Sequence, residues 1–272
     1  MASAPSPSTP APPRRAVPGY LLGFLVALQF LTRLPVPAGL PVAGPALGQA
    51  LAWFPAVGLV LGGFLIGADV LLSLVLPRPV VDVGLLVLLA LLTGGLHLDG
   101  FMDTCDGLFS LRSPAERLAI FRDSRVGSFG VAGLASLLLV QWAALGALPA
   151  AFRPAMLLVA LCLARWAMVY AIVAYPYGRA EGLGRGFKDH ASGRALLAAT
   201  LLAAGAAGLL LGPAGLAGLA LAAGATWLFA RYCLARLPGL TGDTYGALDE
   251  LIETLLLVAL PVLVRYLPAW RP

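Results

Sequence analysis

Val80-Val-Asp-Val-Gly-Leu-Leu-Val-Leu-Leu-Ala-Leu-Leu-Thr-Gly-Gly-Leu-His97-Leu-Asp99-Gly-Phe-Met-Asp103-Thr-Cys-Asp106-Gly107 joins an apolar run long enough to cross a membrane to a burst of acid. The chain has only 13 acidic residues, yet Asp99, Asp103 and Asp106 fall within eight positions. At i, i+4, i+7 a helix projects all three from one face, about a turn apart. Like charges stacked this way repel, and carboxylates at a membrane boundary are costly unless compensated. Hard oxygen ligands at close quarters suit Mg²⁺ or Mn²⁺. The motif reads as a metal site at the end of a transmembrane helix.

Composition extends that reading to the whole chain. It is 60% hydrophobic and 11% charged, with mean hydropathy +0.91, where a soluble domain carries about 25% charged residues. Further apolar runs cover roughly 20–34, 47–76, 129–148, 154–175, 195–211, 216–234 and 245–267, most near the roughly 20 residues a span needs. Turn signals separate them at Pro77-Arg-Pro79, Pro149–Pro154 and Gly212-Pro213. No strand-like alternation persists. The expected fold is all-α: a polytopic helical bundle of about seven transmembrane helices. The short 20–34 run, with Gln29, Thr32 and Arg33 before Pro35 and Pro37, is expected as a re-entrant or interfacial helix. Residues 1–18, rich in Pro, Ser and Ala, are expected as a disordered extension ahead of a single membrane-embedded domain, 19–272. Cys105, Cys162 and Cys233 are scattered and read as small hydrophobes. The net charge of +5 does not call for nucleic acid, because arginine in short loops sets membrane orientation.

With the acidic motif in the cytoplasm, Arg112, Arg117, Arg122, Arg125, Arg179, Arg185, Lys188, Arg194, Arg231 and Arg236 share its side. Only Arg78, Arg153, Arg265 and Arg271 lie opposite, as the positive-inside rule requires. Three loops then meet on one face: Asp99–Gly130, Tyr177–Gly193 and Leu237–Thr244. They carry Asp123, Ser124 and Arg125; Arg179 and Glu181 among glycines; and Thr241 and Asp243. Acidic residues for metal, arginines for phosphate and glycines for close backbone approach describe a diphosphate pocket. Arg33, Arg125 and Arg179 are phosphate candidates or simple anchors. Asp243 is a further metal ligand or the N-cap of the last helix. Glu250 and Glu253 suit metal contact or the helix dipole equally. Arg165, deep within a span, either reaches the pocket or staples helices.

His97-Leu-Asp99-Gly-x-x-Asp103-x-x-Asp106-Gly107-Leu-Phe109 resembles the signature of the adenosylcobinamide-GDP ribazoletransferase (cobalamin synthase) family. Four more blocks agree in order: Phe30-Leu-Thr-Arg33-Leu-Pro35-Val-Pro37, Asp123-Ser124-Arg125-x-Gly127-x-Phe-Gly130, Arg179-x-Glu181-Gly-Leu-Gly184, and Thr241-Gly-Asp243-Thr-x-Gly246-Ala-x-x-Glu250-x-x-Glu253. The match runs from about Phe24 to the end. Cys105 and Asp249 stand where the pattern expects alanine-like and asparagine-like residues, neither expected to matter to the chemistry.

The resemblance implies the last step of cobalamin assembly in a bacterial inner membrane, with the site facing the cytoplasm. A ribose hydroxyl of α-ribazole or its 5′-phosphate attacks the cobinamide-side phosphorus of adenosylcobinamide-GDP, and GMP leaves. Such a displacement needs cations on the transferred and leaving phosphates and a base within reach of the hydroxyl. Asp99, Asp103, Asp106 and Asp243 are the expected ligands for Mg²⁺ (or Mn²⁺). His97, Asp103 and Asp106 are the catalytic candidates. The expected partners are these substrates, the bilayer and other cobalamin-assembly enzymes. The alternative is a CDP-alcohol phosphotransferase-like enzyme acting on a lipid alcohol, which shares the DxxDG element. That pattern continues with Ala-Arg and a second G-x-x-x-D-x-x-x-D, absent here. A transporter would show inverted repeats, which are also absent.

Overall fold

Proline and glycine, more than hydrophobicity, decide where the apolar runs become helices in this computed structural model, which describes residues 19–37, 40, 42–110, 112–121 and 125–267. The expectation for residues 1–18 lies outside the described residues. Helices α1 (Gly19–Leu31), α2 (Pro45–Leu51), α3 (Phe54–Ser73), α4 (Arg78–Thr93), α5 (Leu96–Phe109), α6 (Pro114–Ile120), α7 (Ser128–Ala147), α8 (Arg153–Ala174), α9 (Leu183–Asp189), α10 (Gly193–Leu234) and α11 (Gly242–Tyr266) follow in order. Helices α2, α3, α4, α6 and α8 each carry proline at the first or second position, where a missing N–H costs nothing. Among the described residues the only β pairing is a bridge between Tyr177 and Leu240. The fold is an all-α polytopic membrane bundle.

Three runs divide differently from the expectation. The 80–98 run is not one straight span. Gly94 and Gly95 take φ of 66° and 71°, a left-handed pair that glycine adopts without strain, and α5 leaves α4 at 93°. The 47–76 run breaks between α2 and α3 at Ala52–Trp53. The 195–211 and 216–234 runs form one helical stretch that reverses at Gly212 (φ 58°, ψ −138°). In a straight helix Ala207 and Gly215 would be about 12 Å apart; here a β-carbon on Gly215 would collide with the Ala207 carbonyl. The α10 arms therefore run antiparallel. By length and composition four helices are fit to cross a membrane, α3, α7, α8 and α10, or five with the bent α4–α5 pair. The expected seven would need both arms of α10 counted and also the 25-residue α11, which is not among the helices apolar enough to qualify. Helix α1, at 13 residues, spans about 20 Å, short of a hydrocarbon core of roughly 30 Å.

Helix α8 is the axis, buried on nearly every face from Met156 to Ile172. Gly58 and Gly62 of α3 let its backbone touch α8 at Leu161 and Leu158, the small-residue packing that lipid-embedded helices use. Ala195, Ala199, Ala203 and Ala207 form a buried stripe of period four on α10. At one end of α8, Arg153 ties Asp69 and Asp82 together at 3.0 and 2.5 Å, and Arg78 joins the same two carboxylates. The other end holds the loops that build the pocket.

Candidate active site

Helix α5 separates its residues by chemistry: His97, Gly100, Phe101, Thr104, Cys105 and Gly107 are buried, while Asp99 is exposed and Asp103 and Asp106 are half-buried. The i, i+4, i+7 spacing thus gives one acidic face, as the helical period demands. Against it packs the start of α11. Gly100 is the hinge of that approach, because a β-carbon there would lie 2.8 Å from the Asp243 main-chain oxygen. The close contact brings Asp243 into the electrostatic neighbourhood of Asp99 and Asp103.

Thr241, not Asp243, caps α11, its side chain accepting from Thr244 N–H in a reciprocal capping box. That leaves the Asp243 carboxylate for other partners: Arg179 Nη2 at 2.5 Å and the Thr241 hydroxyl at 3.2 Å. Arg179 also donates to the Phe121 carbonyl at 3.2 Å. Its loop is locked by Gly178 N–H to Leu240 O (2.7 Å) and Leu240 N–H to Pro176 O (2.9 Å). Gly178 and Gly239 face each other so closely that neither has room for a side chain. Tyr177 stacks on Tyr245 with ring centres 6.1 Å apart, and burial raises the Tyr177 hydroxyl above its ordinary pKa.

These pieces enclose a cavity of about 200 Å³. His97, Asp99, Arg179 and Asp243 supply its polar wall; Phe30, Met168, Ile172, Tyr177, Phe187 and Tyr245 its apolar wall; Gly182, Gly184, Gly242 and Gly246 the close-approach points. Phe187 is set by packing on Phe30 (4.6 Å) and Phe54 (5.5 Å).

Asp106 has a defined local task. Its two oxygens accept the N–H groups of Gly127 and Gly130, both at 2.8 Å, so it caps the start of α7 as a negative charge favourably placed at a helix N-terminus. It does not line the cavity. Arg33 is exposed, with its guanidinium packed where a side chain on Gly94 would be. Arg125 and Glu181 are exposed in the surrounding loops. Asp123 and Ser124 lie outside the described residues.

Glu250 and Glu253 do not sit at the helix dipole as surface charges. Both are buried, beside Arg165, which is 1% exposed. Arg165 Nη1 lies 2.8 Å from Glu253 and 3.2 Å from Asp249; Gln141 donates to Glu250 at 3.0 Å; His97 Nδ1 is 2.7 Å from Asp249 Oδ2. Asp249, set aside on sequence, is therefore central to this network. The signal was available: Asp249 and Glu253 share a helix face at i, i+4, and a buried arginine needs carboxylates. Among the described residues, His97, Asp249 and Glu250 bring possible ligand atoms within 4.8 Å of one another, but Arg165 is already the cation there. Asp99 and Asp243 line the cavity and Asp103 is their electrostatic neighbour, three hard oxygen donors of the kind a divalent ion takes.

A multi-pass helical bundle with a carboxylate- and arginine-walled pocket beside one end of its central helix defines a membrane-embedded enzyme class. Residues 23–261 match the family model described as Cobalamin-5-phosphate synthase, and the chain belongs to that family of cobalamin-biosynthesis transferases. It is 42% identical to the adenosylcobinamide-GDP ribazoletransferase of Desulforamulus reducens over 84% of this chain and 92% of that one. It is 42% identical to the same enzyme from Roseiflexus sp. (86% and 87% covered) and 41% to that from Stutzerimonas stutzeri (90% and 99%). No solved structure matches the chain.

Proposed function

We propose that the protein transfers the adenosylcobinamide-phosphate group of adenosylcobinamide-GDP to a ribose hydroxyl of α-ribazole or its 5′-phosphate, releasing GMP. The observation that carries the reading is the joining of Asp99, Asp243 and Arg179 from three separate segments in one glycine-lined pocket. The names of the relatives support the substrates.

Asp99, Asp103 and Asp243 would hold Mg²⁺ or Mn²⁺, with Asp106 keeping α7 in register beside them. A bound divalent ion supplies charge neutralisation on the phosphates. Arg179, held at the acidic wall, is placed to share a diphosphate oxygen by a charge-assisted bond; Arg33 and Arg125 border the same end of the bundle. The aromatic wall suits a planar base or a corrinoid edge. Its burial excludes water that would otherwise compete as nucleophile.

The arginine distribution supports a cytoplasmic orientation for this end, and the proposed setting is a bacterial inner membrane. Cysteines introduced at Ser113, Gly186 and Gly242 should react with an impermeant reagent only from that side, and cysteines at Pro79 and Pro213 only from the other. The decisive test is GMP release by the purified protein from adenosylcobinamide-GDP upon addition of α-ribazole and Mg²⁺. Release with a lipid alcohol in place of α-ribazole, and none with α-ribazole, would overturn the assignment.

A further inference from the structure

We propose that Phe30, Met168, Ile172 and Phe187 form the site for the acceptor's base and select the dimethylbenzimidazole of α-ribazole over a purine, a deeper statement that rests on the ribazole-transfer reading. A dry apolar cavity of about 150 Å³ takes up a single benzene ring. The cavity beside α5, at about 200 Å³, therefore suits a substituted bicyclic base and is far too small for a corrinoid or a whole nucleotide. One ring system enters it, and the rest of both substrates lies outside.

Polarity decides which ring system that is. Met168 and Ile172 stand about a turn apart on one face of α8, and both are buried. Phe187 is buried as well and is fixed by ring contacts with Phe30 at 4.6 Å and Phe54 at 5.5 Å. Gly184 lets α9 bring Phe187 in, because a β-carbon there would stand 2.5 Å from the Tyr177 hydroxyl oxygen. None of the four side chains carries a hydrogen-bond donor, and the Met168 sulfur is only a weak acceptor. The Ile172 carbonyl is taken by Lys188 Nζ at 2.9 Å.

Guanine would bring its ring N–H and amino group to this wall and leave them unpaired, which is costly. Dimethylbenzimidazole joined to ribose has no donor to strand. Its methyl groups gain apolar burial, and a thioether packs favourably against an aromatic ring. Asp99, Arg179 and Asp243 line the same cavity, so a base seated on the apolar wall presents its ribose to the charges that the diphosphate requires.

The full-length protein in detergent tests this. Free dimethylbenzimidazole should inhibit GMP release competitively against α-ribazole and not against adenosylcobinamide-GDP. With the α-riboside of adenine as acceptor, the wild-type kcat/KM should fall about 100-fold below that for α-ribazole. Ile172→Phe, which fills the cavity, should raise KM for α-ribazole about tenfold or more. Its kcat and its KM for adenosylcobinamide-GDP should stay within about twofold, the mark of lost uniform binding. Met168→Gln, similar in length and able to pair with an amino group, should narrow the preference for α-ribazole over the adenine riboside about tenfold. A merely structural role would lower melting temperature and leave these ratios alone. Competition of the free base with adenosylcobinamide-GDP, equal use of both acceptors by the wild type, or unchanged KM for α-ribazole in folded Ile172→Phe would overturn the proposal alone. The wild-type measurements decide it even where a variant does not fold. Absence of GMP release by the wild type with α-ribazole would overturn the transferase reading with it.

Discussion

Arg165 Nη1 stands 2.8 Å from Glu253 Oε2 inside the bundle, with side-chain exposures of 1% and 4%. The pair ties α8 to α11, and through Asp249 it reaches His97 on α5. Buried pairs gain little over apolar packing, yet removing one partner strands the other in low dielectric. Arg165→Met should therefore lower stability by about 3 kcal/mol, read as a fall in melting temperature, and also cut activity, because the support of His97 loosens. Adding Glu253→Leu should restore part of the lost stability but not the activity. Recovery of both by the double variant would reduce Arg165 to packing.

Asp103 neighbours Asp99, Asp106 and Asp243, with Arg179 as the opposing charge. Asp103→Asn keeps shape and removes one negative charge. Turnover should drop at least 100-fold while the helical circular dichroism spectrum and melting temperature hold. Mn²⁺ titration followed by electron paramagnetic resonance should show affinity weakened about tenfold or more. Unchanged Mn²⁺ affinity would take Asp103 out of the metal site.

Gly100 is where α5 admits the backbone of Asp243. The methyl group in Gly100→Ala would push the start of α11 outward by several tenths of an ångström. Misplacement of reacting groups on this scale costs heavily in rate, so kcat should fall about tenfold or more. Overpacking of this kind costs about 1–3 kcal/mol of stability. Wild-type kinetics in this variant would mean that Asp243 need not stay close to Asp99 and Asp103.

The acidic face of α5, the buried arginine of α8 and the turn at Gly212-Pro213 were all readable from residue type and spacing, because each follows from local periodicity or a backbone constraint. The bend after Thr93 was missed because an apolar window passes smoothly through Gly94-Gly95; only their left-handed conformations end α4. The task of Asp106 at α7 was hidden because hydrogen bonds across 21 and 24 residues leave no mark in a helical pattern. Asp249 was set aside as a departure from the family pattern, when its helical register with Glu253 placed it opposite Arg165. Asp243 and Thr241 stand two apart, and only the geometry shows which of them caps α11.

The far end of α8 supplies the control for all of these changes. Asp82 is 1% exposed and lies 2.5 Å from Arg153, while Arg78 also bonds it, at 3.0 Å. Arg153 and Arg165 are separated by 12 residues, or about 18 Å of helix, so the two charge networks share an axis but no partner. Asp82→Asn removes one of the two carboxylates that serve both arginines and leaves Arg153, itself buried, with Asp69 alone. Stability should fall by about 1–3 kcal/mol, seen as a lower melting temperature in detergent. The kcat and KM of the folded fraction, and its Mg²⁺ requirement, should match the wild type within about twofold, because changes this far apart with no shared partner act independently. A large loss of turnover in folded Asp82→Asn would show that the two ends of α8 are coupled, and the losses expected at Arg165 could then no longer be assigned to its contacts with Asp249 and Glu253.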